Sequence, residues 1–242
     1  ALGAVALLRG NLFWRLTWRE LFFFLLLGLI LALHWITFFQ AIQVSSVALG
    51  LITYSTFPLF TTILEPLFFK EALRPGDLLG ALVMLAGLIL VVPDFTWGNH
   101  MTQGVVWGTL SGLSFALLSV LNRRGIQRRP ALMVTLFQTL VAALVLVPLI
   151  AGNPRVPGLD EIALLLVLGV ICTALAHFLF VFSMRDVSAQ LASMVACLEA
   201  VYGAGFAYLL LGEVPDLRTL AGGSVILVTA LLAIRFRRCP EF

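Results

Sequence analysis

The feature that most constrains this chain is the length of its uninterrupted apolar runs. A stretch such as LFFFLLLGLILAL at 21–33 carries no charge and no polar–apolar alternation. About 20 consecutive apolar residues cross a bilayer as a helix. On that rule, spans are predicted at 20–41, 46–69, 77–93, 104–121, 130–151, 161–183, 188–211 and about 219–236. Residues 1–8 are too short to span. The connections are short and carry breakers: Gly10-Asn11, Pro75-Gly76, Pro93-Asp94, Asn153-Pro154 and Pro215-Asp216. A membrane β-barrel would need strands of about ten residues with alternating polarity, and these runs do not alternate. The chain reads as an all-α integral membrane protein. Composition agrees: of 242 residues, 61% are apolar and 11% charged, too little polar side chain to cover a water-soluble globule. Soluble enzymes, nucleic-acid binders, disordered chains and disulfide-stapled domains are excluded on that ground. Cys172 and Cys197 fall in apolar runs and Cys239 in the tail, which is no disulfide framework.

The basic residues set an orientation. Arg9, Arg15, Arg19, Lys70, Arg74, Arg123, Arg124, Arg128, Arg129, Arg185, Arg235, Arg237 and Arg238 fall in one set of alternate loops, 13 of the 15 Lys and Arg. Only Arg155 and Arg218 lie in the other set. The positive-inside rule makes the first set cytoplasmic and predicts a cytoplasmic C-terminus. The Arg-rich loop 123–129 is therefore a topogenic signal before it is a nucleic-acid site.

The chain also resembles itself at a shift of about 142 residues. Glu20 and Gly28 fall on Glu161 and Gly169, His34 on His177, Val44-Ser45 on Val187-Ser188, Lys70-Glu71 on Gly212-Glu213, and Gly80 on Gly222. Five spans separate the start of one copy from the start of the next. Five is odd, so the second copy enters the membrane in the opposite direction, an inverted repeat of the kind many secondary transporters use. Gly10-Asn11 falls on Gly152-Asn153. Residues 1–9 are thus expected to be the end of a second helix, and the expected parent is a ten-helix protein with five-helix halves. This chain would lack helix 1 and most of helix 2, leaving about eight full spans. The halves are predicted at 1–93 and 104–236.

Ten helices in two halves resemble the EamA-type family of the drug/metabolite transporter superfamily. The residues that carry the resemblance are Phe57-Pro58 followed by an apolar stretch ending in Lys70-Glu71, the helix LLGALVMLAGLILVV at 78–92, the small-residue helix GTLSGLSFALLSVLNRRG at 108–125, and LLLGE ending at Glu213. Ala200 stands where the second half of the family often has Pro, and Thr229 where a second glycine is expected. The resemblance implies a secondary transporter, often an exporter of amino acids or related metabolites, in the bacterial plasma membrane.

Ionisable groups inside spans are costly and point to function. His34, Glu65, His177 and Glu199 stand out. Glu199 lies about twelve residues into its span, with Tyr202 at i+3 on the same face. A carboxylate buried there would be neutral, paired or in a wet cavity, which suits proton coupling or a substrate amine. The competing assignment is a structural interhelical hydrogen bond. His34 and His177 suit substrate contact or a gate; a packed histidine bonded to a backbone carbonyl is the plainer alternative. Tyr54, Pro58, Thr61 and Glu65 fall at i, i+4, i+7 and i+11, one helical stripe expected to face the cavity. Glu65 is the second coupling candidate, or an interface carboxylate near Lys70. Glu71 and Glu213 are expected to face loops at the starts of the following helices. Gly104, Gly108 and Gly112 form a small-xxx-small stripe for packing, with Ser111 and Ser114 lining the cavity and Asn122 adding a polar contact. Trp14, Trp18 and Trp97 are expected at the interfaces, and Trp35, beside His34, is expected to stack on substrate or simply to pack.

These features predict alternating access by a transporter whose partners are the bilayer, a small-molecule substrate and, for coupling, protons. No cofactor is implied: there is no HExxH and no Cys/His cluster. Mid-span positions hold no Lys or Arg, which argues against phosphate-bearing substrates. The alternatives are an intramembrane enzyme using His34, His177 and Glu199, or a fragment inactive in transport.

Overall fold

The computed structural model describes residues 2–3, 16–70, 75–91, 96, 98–151 and 157–236. The described residues are all helical or connecting, without a strand. The helices are α1 (Trp18–Val44), α2 (Val47–Tyr54), α3 (Phe57–Phe69), α4 (Pro75–Val91), α5 (His100–Ile126), α6 (Ala131–Ala151), α7 (Leu159–Val167), α8 (Ala176–Ser183), α9 (Ala189–Ala196), α10 (Glu199–Phe206) and α11 (Leu217–Phe236). A π-helical stretch, Leu168–Leu175, joins α7 to α8, and another, Ala207–Leu211, ends α10. Trp14, Trp97, Glu71, Cys239 and the breakers Gly10-Asn11, Pro93-Asp94 and Asn153-Pro154 lie outside the described residues.

Among the described residues, six segments are long and apolar enough to cross a membrane: Trp18–Val44, Val47–Phe69, His100–Ile126, Ala131–Leu149, Leu159–Ser183 and Ala189–Leu211. The two remaining expected spans are shorter apolar helices, Leu78–Val91 and Leu217–Leu232. Only 11% of Leu159–Ser183 is buried, so that segment presents apolar side chains nearly all round, as a lipid-facing helix does.

The chain groups into two compact units, Ala1–Ala32 with Leu121–Val187, and Leu33–Val120 with Ser188–Phe242. In the first unit, Phe24 stacks on Phe137 with ring centroids 5.2 Å apart. A Cβ on Gly28 would lie 2.3 Å from Val141 Cβ, so the glycine lets α1 meet α6 closely. Glu20 forms a capping box with Thr17 at the start of α1 and pairs with Arg129. Its repeat counterpart Glu161 likewise accepts the N–H of Gly158 at 2.9 Å.

In the second unit, two expected spans are broken. Ser55-Thr56 separates α2 from α3, and Cys197-Leu198 separates α9 from α10. Pro58 sits in the first turn of α3, where a missing N–H costs nothing; continuing α2 through it would clash with the carbonyl four residues back. Tyr54 and Pro58 thus lie on separate helices, and the predicted single stripe is divided. The second break has no proline, Ala200 standing in the matching place. Helix α9 packs on α3, α10 on α2, and α4 on α11. Leu49, Ile52, Leu88, Val91, Val105 and Ile226 form one apolar core; Leu59, Met84, Cys197 and Ala230 form another. The glycine stripe of α5 lies against the first broken helix: Cβ atoms on Gly104, Gly108 and Gly112 would meet Ser45, Thr53 and the Tyr54 carbonyl.

Candidate functional site

Among the predicted site residues, His34, Tyr54 and Ser111 come together inside the second unit. His34 Nδ1 lies 2.8 Å from Ser111 Oγ and 3.3 Å from the Ser111 carbonyl oxygen. Its ring is bracketed by Phe115 at 4.7 Å, Tyr54 at 5.3 Å and Phe38 at 5.9 Å between centroids. Tyr54 in turn stacks on Phe57 across the helix break, at 4.9 Å. The glycines of α5 bring this about by letting it approach α2 until Ser111 reaches α1. His34, Tyr54, Ser111 and Ser114 are all buried. Ser114 Oγ donates to the Ser111 carbonyl at 2.8 Å, and Thr61 Oγ1 to the Phe57 carbonyl at 2.9 Å. Trp35 is half-buried.

Replacing Ser111 with Ala removes the hydroxyl that holds His34. The expected cost is about 1 kcal/mol of stability, a typical net hydrogen bond, read as a lower melting temperature in detergent.

Three residues occupy other settings. His177, in the first unit, accepts a hydrogen bond at its Nε2 from Gln138 Nε2 at 2.7 Å. That partner is a buried side chain on α6 rather than a backbone carbonyl. Gln138 Oε1, Thr135 Oγ1 and both amide atoms of Asn122 are buried with no hydrogen-bond partner among the described residues, so Asn122 makes no polar contact of the kind expected. Glu199 is exposed rather than buried. It opens α10 directly after the break, where the helix dipole favours its charge. Tyr202 is exposed with it, at 66%.

The carboxylates bind where sequence reasoning did not place them. Glu65 is buried, and its two oxygens accept the backbone N–H groups of Ala189 at 2.8 Å and Gln190 at 2.9 Å. Those are the first residues of α9, whose N-cap is Ser188. Gln190 Nε2 donates to Thr62 Oγ1 at 2.6 Å, one turn from Glu65. Glu213 accepts the N–H groups of Val47 at 3.2 Å and Ala48 at 3.3 Å, the first residues of α2, whose N-cap is Ser46. It is therefore not a loop-facing group serving α11. Between these two contacts, Cys197 Sγ donates to the Ser55 carbonyl at 3.3 Å, one break touching the other. An open cleft of about 640 Å³ lies beside the Glu213 contact, lined by Gln43, Ser45, Ser46, His100, Gln103 and Asp216 among others. No predicted site residue lines it. Gln138, Thr62 and Gln190 had no sequence signal beyond being amides or a hydroxyl inside apolar runs. Among the described residues, no group of three His, Cys, Asp or Glu could hold a metal ion.

The sequence matches the EamA-like transporter family over residues 1–92 and 102–235. The chain belongs to that family. It is 29% identical over 212 residues to the pseudopaline exporter CntI of Pseudomonas aeruginosa, covering 87% of this chain and 74% of that protein. It is 27% identical over 214 residues to an S-adenosylmethionine uptake transporter of Rickettsia bellii, covering 88% and 72%. A solved crystal structure shares the fold at a TM-score of 0.70 and 22% identity, covering 98% of this chain and 84% of that one. Membership makes this an integral membrane protein of a transporter family, in keeping with the six segments among the described residues that are long and apolar enough to cross a membrane.

Proposed function

We propose that this chain is a secondary transporter exporting a small amphipathic or zwitterionic metabolite, such as an amino acid or a related compound, across the bacterial inner membrane by alternating access. The halves 1–93 and 104–236 form an inverted pair derived from a ten-helix parent, and the C-terminus is cytoplasmic. The observation that carries this reading is the meeting of the two broken helices at Ser55 and Cys197, positions 142 residues apart and so equivalent in the repeat. Contacts between equivalent positions are what a two-fold pseudo-axis produces. A second set agrees: the nearest neighbour of a Cβ on Gly80 is Thr229, while that on Gly87 would meet Gly222. Gly80 and Gly222 are equivalent, as are Gly87 and Thr229, so the contacts are reciprocal. Helices broken in mid-membrane are the usual binding elements of inverted-repeat transporters. Here the second break presents Glu199, the coupling residue of this reading, with Tyr202 beside it. His34, Trp35, Tyr54, Pro58, Thr61, Ser111 and Ser114 complete the set assigned to substrate in the second unit, His177 is assigned to substrate within the first, and Glu65 is a second coupling group. Of the two relatives, the pseudopaline exporter supports the outward direction and the S-adenosylmethionine uptake transporter the inward one.

The test is a growth-resistance screen against amino acids and analogues, with and without expression, followed by counterflow of the protective compound in liposomes. Saturable counterflow is expected. Turnover of a lipid or metabolite by the purified protein, with no counterflow of any protective compound, overturns the reading in favour of an intramembrane enzyme.

A further inference from the structure

We propose that Glu65 and Glu213 are positioning residues that act as the two gate latches of the cycle, each closing one end of the broken-helix pair by binding the N-terminus of the opposite broken helix. The inference rests on the transport reading above. Val47 and Glu65 are 18 residues apart on the first broken helix, about 27 Å at 1.5 Å per residue, close to the thickness of a hydrocarbon core. Glu213 meets the Val47 end and Ala189 meets the Glu65 end. The two broken helices therefore run antiparallel, touching at both ends and at Ser55–Cys197 in the middle. By the charge asymmetry of the loops, the Glu213 contact is at the outer face and the Glu65 contact at the inner one.

Each latch has the same chemistry. A carboxylate accepts two of the backbone N–H groups that a helix N-terminus leaves unpaired, and the dipole adds to the attraction. Such charge-assisted bonds are roughly twice as strong as neutral ones. Each contact is made by the tip of one side chain on two N–H groups, so it breaks as a unit when the helix ends part. The two differ in surroundings. Glu65, Thr62, Ala189 and Gln190 are all buried, whereas Glu213 is half-buried beside the open cleft. Water competes for the outer contact and not for the inner one, which makes the outer latch the one that opens first from this arrangement.

Cys197 reports on both. It is 1% exposed and sits at the central contact, so opening either end brings solvent toward it. The experiment uses the full chain with Cys172→Ser and Cys239→Ser, leaving Cys197 as its one thiol. A charged, membrane-impermeant methanethiosulfonate is added to right-side-out or inside-out vesicles. Glu213→Gln is expected to raise the Cys197 reaction rate about tenfold from the outer side only, the shift for losing a charge-assisted pair. Glu65→Gln is expected to do so from the inner side only. If Glu65→Gln fails to insert, Thr62→Val with Gln190→Leu removes the neighbouring bond and should raise inner-side labelling about fivefold, the factor for a neutral hydrogen bond. Unchanged labelling, or a rise from the same side for both variants, overturns the latches. The readout needs no substrate. Counterflow with unsided labelling sinks the latches and leaves the transport reading standing; sided labelling without any counterflow does the reverse.

Discussion

Glu199→Gln is expected to lose pH-gradient-driven transport, falling to the level of empty liposomes, while substrate counterflow persists. The side chain lies mid-span by sequence, yet it is exposed and begins a helix immediately after a break. A carboxylate inside a span is retained at a cost and is functional by default. Its setting supplies one favourable term, the positive end of α10. Gln keeps the shape and a carbonyl acceptor toward that helix end but cannot gain or lose a proton. Coupling should therefore fail without loss of the fold, and exchange, which moves no net protons, should continue. Coupled flux at the parental rate would remove Glu199 from this role. Loss of both fluxes with normal insertion would make it a substrate ligand instead.

The largest structural effect is expected at Gly222. A Cβ there would sit 2.5 Å from the Gly87 carbonyl oxygen, 2.4 Å from Val91 Cγ2 and 3.2 Å from the Val91 backbone nitrogen. Backbone atoms cannot turn aside as a side chain end can, so α4 and α11 would have to separate. Overpacking typically costs about 1–3 kcal/mol; Gly222→Leu should reach the upper end, and little monodisperse protein is expected on size exclusion in detergent. Gly80→Ala is the control, because its Cβ would meet only Thr229 Cγ2, at 3.7 Å, an ordinary contact. The two glycines are equivalent in the repeat, so a sequence argument treats them alike. Equal melting temperatures for the two variants would contradict the close α4–α11 pairing.

That pair of glycines shows where sequence reasoning ran out. The repeat aligned Gly80 with Gly222, but which of them a backbone approaches depends on how two helices cross. The stripe Gly104, Gly108 and Gly112 was legible as a packing face, since spacing of four on one helix is a local property; its partner, the first broken helix, was not. Glu20 and Glu161 were legible as span starts because the apolar runs begin there, and the bonds each makes to the preceding turn are local, within four residues. Glu65 was visible only as an ionisable group near a helix end, and Glu213 was assigned to the nearest helix in sequence. Both bind N–H groups more than 120 residues away, and no local pattern encodes such a partner. His34 and Ser111 were each singled out, but their bond joins residues 77 positions apart.

By itself, the sequence determined that the chain is helical, that its solvent is lipid, and that it belongs among EamA-like transporters. The first two follow from the apolarity of each segment, which any one segment carries alone, and the third from the order of loose motifs along nearly the whole chain. The tertiary structure decided where the second span breaks and what holds the broken ends of both. Nothing in Cys197-Leu198 forbids a helix, and only the partner helix offers the Ser55 carbonyl that meets the thiol. The reason is physical: lipid rewards every apolar segment equally wherever it lies, so specificity falls to the few polar groups, and those are satisfied by whatever the packing brings within reach of a hydrogen bond.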